Sequence, residues 1–452
     1  MTRTFVFVVM GLVSGCGIVA PEECSSDEQC VDAFGWGHHC GDAGACEVLQ
    51  ATATCGSTWP EGVFEERDAW REALPVGSVV DTELFPIERD AIRLAVDQVN
   101  DLGGIDGRSV VLLECDPAGS DDRGAAIAES ASFLAAGAGA VTVLGPVQST
   151  DAEAFATAGE DAVVVSPGAS AISLGTLAGS QVWRTVPSDA DLSQSIVRDM
   201  LDEGLAKAVI VHAEDTAPTD LANQLILELE GASFSGELLS WSSDTERDAR
   251  VVEAAYANAD AVIVLSENPA DYVDVLLAAE AIEEYAGLTL YLGPAAYRQQ
   301  LLTDAAAAAP LFPNVRGVRS ATRKGAVADV FRASFASAYG GVDPESASFA
   351  GQAYDSAWTA FSAMMWAGMR DGDLTTDGVS AGLGNLSFGT PVQLGPAGWD
   401  ALEDAFGKAS PVDLDGASSP LDFAPDSRAI RGPIAVWTIQ DGAFVTAREY
   451  TF

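Results

Sequence analysis

The chain is sparingly supplied with residues for acid–base chemistry. Its 452 residues hold three histidines, His38, His39 and His212, and histidine is the usual general base. Two of the three are adjacent in a cysteine-rich stretch. There is no dinucleotide G-x-G-x-x-G, no phosphate-cradling G-x-x-x-x-G-K-[ST] and no metal-binding H-E-x-x-H. What recurs is a set of short polar segments directly after apolar runs: 81–83, 145–150 (GPVQST), 166–171 (SPGASA), 214–218 (EDTAP), 266–269 (SENP) and 293–297 (GPAAY). Glycine and serine let backbone N–H groups approach a ligand closely, and a following helix N-terminus favours its negative end. Each segment alone also reads as an ordinary strand-to-helix turn with a capping residue. His212 ends one apolar run and reads as a packed strand-end residue, with ligand contact as the alternative.

The elements that position these segments follow from periodicity. Runs rich in Val, Ile and Leu occur at 74–80, 109–114, 139–144, 162–165, 207–212, 259–265 and 288–292. They are apolar at consecutive positions, as strands buried on both faces of a parallel sheet require. Helical stretches separate them: 87–100 places Ile92, Ala95, Val96 and Val99 on one stripe, and Gly103-Gly104 ends it. An Ala-rich helix is predicted over 123–136. The alternation predicts an α/β fold of two doubly wound lobes rather than one sheet.

Acidic residues outnumber basic ones 67 to 23, a formal net charge of −44. So few cations cannot build a phosphate-neutralising surface, which argues against nucleic acid and against anionic membrane surfaces. The amino terminus reads as an export signal over 1–15: Arg3, then the apolar 5–13, too short to span a bilayer. Val13-Ser14-Gly15-Cys16 resembles a bacterial lipobox, making Cys16 the expected lipidation site; a plain signal peptide is the alternative. No later stretch is long and apolar enough for a second anchor. The remaining six cysteines, Cys24, Cys30, Cys40, Cys46, Cys55 and Cys115, are an even set outside the cytoplasm and read as disulfides. The expected pairing joins the first four among themselves and Cys55 to Cys115. Zinc held by thiols with His38 and His39 is the alternative, disfavoured because paired C-x-x-C knuckles are absent. No cofactor is expected.

Several segments carry a likeness to a known family: AIRLAVDQVNDLGGIDGRSVVLLECD (91–116), LGPVQST (144–150), VVVSPGASA (163–171), WRTVPSD (183–189), LGPAA (292–296), FAGQAYDSAW (349–358) and PLDFAPDSRAIRGPIAVWTIQDGAFV (420–445). In order and spacing the chain from about 74 to 446 resembles the type I periplasmic binding proteins of the leucine/isoleucine/valine-binding group. The resemblance implies two α/β lobes joined by three hinge crossings, here near Thr185, Arg316 and Arg431. Lobe one would comprise 71–185 and 316–430, and lobe two 186–315 and 431–452. A Cys-rich module, 16–70, precedes them outside the likeness. The stretch 391–419 exceeds the family pattern, and a helix is expected over 399–406. Tyr354 and Asp355 read as structural, and Met364, Met365 and Trp366 as core.

The resemblance also implies a ligand set. Ser149, Thr150 and Ser170, with N–H groups of Ala169 and Ala171, match the positions that hold an amino acid's carboxylate. Ala217 stands where an aromatic ligand contact is expected, in a stretch with Asp215 and Thr216. Ala295 stands where a glutamate should pair with the ammonium; Glu267 or Asp215 could replace it. Gln148 completes the expected lining. The implied function is an extracytoplasmic solute-binding lipoprotein taking a small polar or anionic, amino-acid-like ligand for an ABC importer or a sensor. A lipid-anchored interaction module with the same fold and no ligand is the alternative, favoured if the facing loops pack shut. A hydrolase is the remotest reading.

Overall fold

The computed structural model describes residues 24–41, 43–177, 181–321, 323–372 and 374–452; the signal segment and Cys16 lie outside them. Two sheets organise the chain. The first has six strands: β1 (Ser57–Trp59), β2 (Leu74–Val79), β3 (Val110–Cys115), β4 (Thr142–Leu144), β5 (Val163–Ser166) and β6 (Val182–Arg184), in spatial order β1-β3-β2-β4-β5-β6. Only β1 is antiparallel to its neighbour. The second has seven: β7 (Lys207–Ala213), β8 (Ser235–Trp241), β9 (Ala261–Leu265), β10 (Thr289–Leu292), β11 (Val315–Ser320), β12 (Ile434–Gln440) and β13 (Ala443–Tyr450), in order β8-β7-β9-β10-β11-β12-β13. The last two are antiparallel additions to a parallel sheet. The helices used below are α1 (Pro86–Asp101), α2 (Ser149–Thr157), α3 (Asp189–Glu203), α4 (Thr216–Gly231), α5 (Pro269–Glu280) and α6 (Ala350–Asp371).

The consecutive apolar residues of the strands feed two cores per sheet, because successive side chains point to opposite faces. In β7, Val209 and Val211 join one core of lobe two while Ala208 and Ile210 join the other. In β3, Val110 and Leu112 face the core under α1 and α6, and Val111 and Leu113 face the opposite side. Helix α6 runs through lobe one with Trp358, Phe361, Met364 and Met365 fully enclosed, and Trp358 meets Trp399 edge-on at 5.4 Å. Trp399 belongs to the helix Trp399–Gly407, matching the expected insertion. In β11, Gly317 lies beneath Trp437 of β12; a Cβ there would come within 2.1 Å of the indole. Asp199 anchors α3 to its sheet, bonded by Arg316 (2.6 and 3.0 Å), Arg448 (2.7 Å) and Tyr291 (2.7 Å).

The expected disulfide-rich amino-terminal module is present and is tied to lobe one. Strand β1 belongs to the sheet of lobe one, and Trp36, Leu49, Cys55 and Val63 enter the same core as Val111 and Leu113. A disulfide joins Cys55 to Cys115 at the end of β3, while Cys24–Cys40 and Cys30–Cys46 close the amino-terminal part. With these thiols oxidised, the three sulfurs of Cys24, Cys30 and Cys40 that cluster together are not metal ligands. The crossing expected near Arg316 falls four residues later, since Arg316 lies inside β11. The chain leaves lobe two after Ser320, beside the returning segment at Pro433, where Ala321 N–H donates to the Pro433 carbonyl (2.8 Å). The chain passes from β6 to α3 over 185–188 and into β12 over 431–433. No described helix is long and apolar enough to cross a membrane.

Candidate functional site

The loops at the carboxyl ends of both sheets face one another, where open α/β sheets hold ligands. Strand β4 runs into α2 through 145–148, and the helix begins at Ser149 with its first N–H groups free of intrahelical partners. An arginine braces this loop. Arg123 bonds both oxygens of Asp151 (2.8 and 2.6 Å), Asp81 (2.7 Å) and the Gln148 side-chain oxygen (2.6 Å). The Gln148 amide then donates across the cleft to the Glu267 carbonyl (3.3 Å).

The partner of the α2 terminus is a residue of lobe two. Ser149 N–H and Thr150 N–H donate to the two oxygens of Glu267, at 2.5 and 3.2 Å. Glu267 follows β9, so the protein's own carboxylate occupies the place expected for the ligand's acidic group. Burial pushes Glu267 up to about 7, more than the bonds from Thr150 and Ser149 pull it down. The other expected anion donors are also engaged. Ala171 N–H donates to the Ser149 hydroxyl (3.2 Å) and Ala169 N–H to that of Ser166 (3.0 Å). Thr150 Oγ1 accepts from Thr216 N–H (3.2 Å), and the Thr216 hydroxyl reaches Glu153 (2.6 Å). Further bonds cross between the lobes from Ser173 N–H to Asp220 (2.9 Å) and from the Ser348 hydroxyl to Pro294 O (2.8 Å).

These contacts leave a cavity of about 40 Å³, room for a few water molecules. Its walls are mostly apolar: Phe85 and Phe349 from lobe one, Leu221, Leu265 and Ala295 from lobe two. The polar groups are Gln148, Ser170, Asp189, Ser266, Glu267 and the end of Tyr272. Tyr272 is locked in place, its hydroxyl donating to Ser266 O (2.7 Å) and accepting from Ser266 N–H (3.0 Å). Asp189, at the first turn of α3, is 1 % exposed, and one of its carboxyl oxygens has no partner among the described residues. Burial raises its carboxyl to about 7, against the bond from Ser170 and the attraction of Arg184.

Of the expected ligand residues, Gln148, Ser170, Glu267 and Ala295 line the cavity. Ser149, Thr150, Ala169, Ala171 and Thr216 lie in the contact around it, and Asp215 is exposed outside. His212 is packed, its Nδ1 against Ala213 O (2.8 Å), and does not reach the cavity. Asp355 is structural, accepting from Ala417 N–H and Ser418 N–H, both at 2.7 Å. Asp189, Arg123 and the two phenylalanines were not foreseen; Asp189 sits in WRTVPSD, read above only as a crossing. The pentad Gly378-Val379-Ser380-Ala381-Gly382 fits the G-x-S-x-G spacing. It lies within the helix Thr376–Leu383, where no strand-to-helix elbow exposes a nucleophile.

Comparison with known proteins agrees with this geometry. Residues 78–408 match the family described as periplasmic binding protein. None of the curated proteins matches the chain. Among solved structures, the leucine-binding protein LivK of Thermotoga maritima superposes with a TM-score of 0.68 at 14 % identity, covering 84 % of this chain and 99 % of that one. LivJ of Streptococcus pneumoniae, solved with isoleucine, gives 0.65 at 17 % identity, covering 84 % and 99 %. A solute-binding protein of an ABC transporter from R. palustris, solved with benzoate, gives 0.65 at 17 %, covering 84 % and 96 %. With that family matched over most of its length and both lobes, the chain belongs to the periplasmic binding proteins.

Proposed function

We propose that this protein is an extracytoplasmic solute-binding lipoprotein that captures a small polar molecule between its lobes and presents it to an ABC importer or a sensor. The observation that carries the reading is the cavity at the facing strand ends, lined from both lobes and hung on three crossings. The neighbours solved with isoleucine and with benzoate support a small-molecule ligand, and molecules of their size would need the lobes to open beyond the closure seen here. Three disulfides support an exported protein, and the periplasmic binding protein family match supports a binding role. The lipid at Cys16 rests on the lipobox alone, and mass spectrometry of the mature amino terminus tests it. An unmodified terminus refutes the anchor.

Native mass spectrometry of the gently purified protein, followed by thermal-shift screening of small metabolites, tests the binding role. A saturating ligand at 100 times its dissociation constant adds about 2.7 kcal/mol of stability. The second reading, an interaction module without a ligand, is favoured by one observation: the facing loops already satisfy one another and leave only about 40 Å³. A screen in which no small molecule stabilises the protein selects that reading.

A further inference from the structure

Resting on the solute-binding reading above, we propose that the cleft takes a small primary ammonium ion with an apolar body and no acidic group, its nitrogen set against Asp189 and Glu267. Three observations converge. The N–H groups that would hold a ligand's carboxylate are spent on Glu267, so an acidic ligand must displace a tethered competitor. Asp189 is enclosed in the cavity wall with one oxygen unpartnered among the described residues. A buried, unsatisfied acceptor is costly, and a donor from the ligand removes that cost. The remaining walls, with Phe85, Phe349, Leu221 and Leu265, suit a hydrocarbon body.

The charges around the cavity agree in sign. Arg184 lies behind Asp189, with its two Nη groups donating to Ala171 O and Ser427 O. Against it stand Asp189, Glu267 and Asp220, with Asp215 at the outer edge. Arg123 is shared between Asp81 and Asp151. A cation entering this group relieves repulsion; an anion adds to it. Lobe closure on the cation also removes its charge from water, so the pairing geometry decides the affinity.

The test titrates the full mature protein with n-butylammonium, n-butyrate and leucine at equal ionic strength, with sodium chloride as the control for general attraction to an acidic surface. Calorimetry and melting temperature are read at pH 5 and pH 8. The expected result is that n-butylammonium binds at least tenfold more tightly than n-butyrate or leucine, and tightens at least tenfold from pH 5 to pH 8 as the carboxyls lose protons. Asp189→Asn should weaken the ammonium at least tenfold; the comparison among ligands on the unaltered protein stands even if that variant fails to fold. Tighter binding of n-butyrate or leucine overturns this inference and leaves the solute-binding reading intact. Equal stabilisation by sodium chloride, or ammonium affinity flat with pH, also overturns it. If none of the three probes binds and native mass spectrometry finds no ligand, the inference and the reading fall together.

Discussion

Glu267 makes closure of the lobes depend on pH. In the closed form its carboxyl sits near 7, against an ordinary 4.5, because burial costs the charged form more than the α2 amides return. On opening it returns to water and its ordinary value. A raised value in one form means that this form's advantage is complete below 4.5 and is lost as pH rises through about 7. The interval corresponds to about 3 kcal/mol, or a fall of roughly 300-fold in the closed-to-open ratio from pH 4 to pH 8. Glu267→Gln keeps the size and removes that titration, so the pH slope of closure should fall to the part contributed by Asp189, whose carboxyl burial in the same cleft also raises to about 7. Small-angle scattering should show the radius of gyration of the ligand-free protein rising with pH, and hydrogen exchange should show the Ser149 and Thr150 amides losing protection in parallel. The variant should show both trends reduced. If the unaltered protein keeps one radius and one protection pattern from pH 5 to pH 8, or if Glu267→Gln retains the same slope, the latch is not Glu267.

Other perturbations have defined outcomes. Asp199→Asn should destabilise lobe two by about 1.5–3 kcal/mol in denaturant unfolding, since it removes the buried charge that Arg316 and Arg448 share and leaves them only the partly exposed Glu203. In the unaltered protein burial would raise the Asp199 carboxyl, but Arg316, Tyr291 and Arg448 hold it below its ordinary value. Its contribution is therefore complete above the ordinary 3.8 and lost as pH falls through the folded-state value. Gly317→Ala should lower thermal stability by about 1–3 kcal/mol, because the new Cβ meets the Trp437 ring and the core must shift. Removing the Cys55–Cys115 link, which closes 60 residues, with paired serine substitutions should cost about 4 kcal/mol of lobe-one stability. A calorimetric melt with unchanged lobe-one transition would contradict that figure.

The strands legible in the sequence were those buried on both faces, such as β3, β7 and β9, whose Val-Ile-Leu runs have no other explanation. Strand β8 escaped notice because it lies at a sheet edge with Ser235–Leu238 exposed, so no apolar run marks it. Strand β11 escaped because Arg316 and Arg319 break its pattern, and Arg316 is tolerated there through Asp199 and Glu203. Strand β1 is three residues long and is recognised only by its pairing with β3. In the site, the small polar loops were legible as to place. Their partners were not, because which group meets the α2 terminus depends on how far the lobes have closed. Glu267 had been considered as a counter-charge for an ammonium; that its oxygens also satisfy Ser149 and Thr150 is a property of two loops 118 residues apart.

The joining of residues 24–70 to lobe one has a mechanical consequence. Strand β1, the Cys55–Cys115 bridge and the shared core make the amino-terminal part and lobe one a single rigid body. If the cleft rocks, the amino-terminal part should move with lobe one, and lobe two should be the half displaced relative to it. Distances from the amino-terminal part to α1 stay constant through the cycle, while those to α4 and α5 lengthen and shorten. Whatever holds the chain by its amino terminus thus fixes the frame in which the swing is seen, and lobe two is the hand that moves.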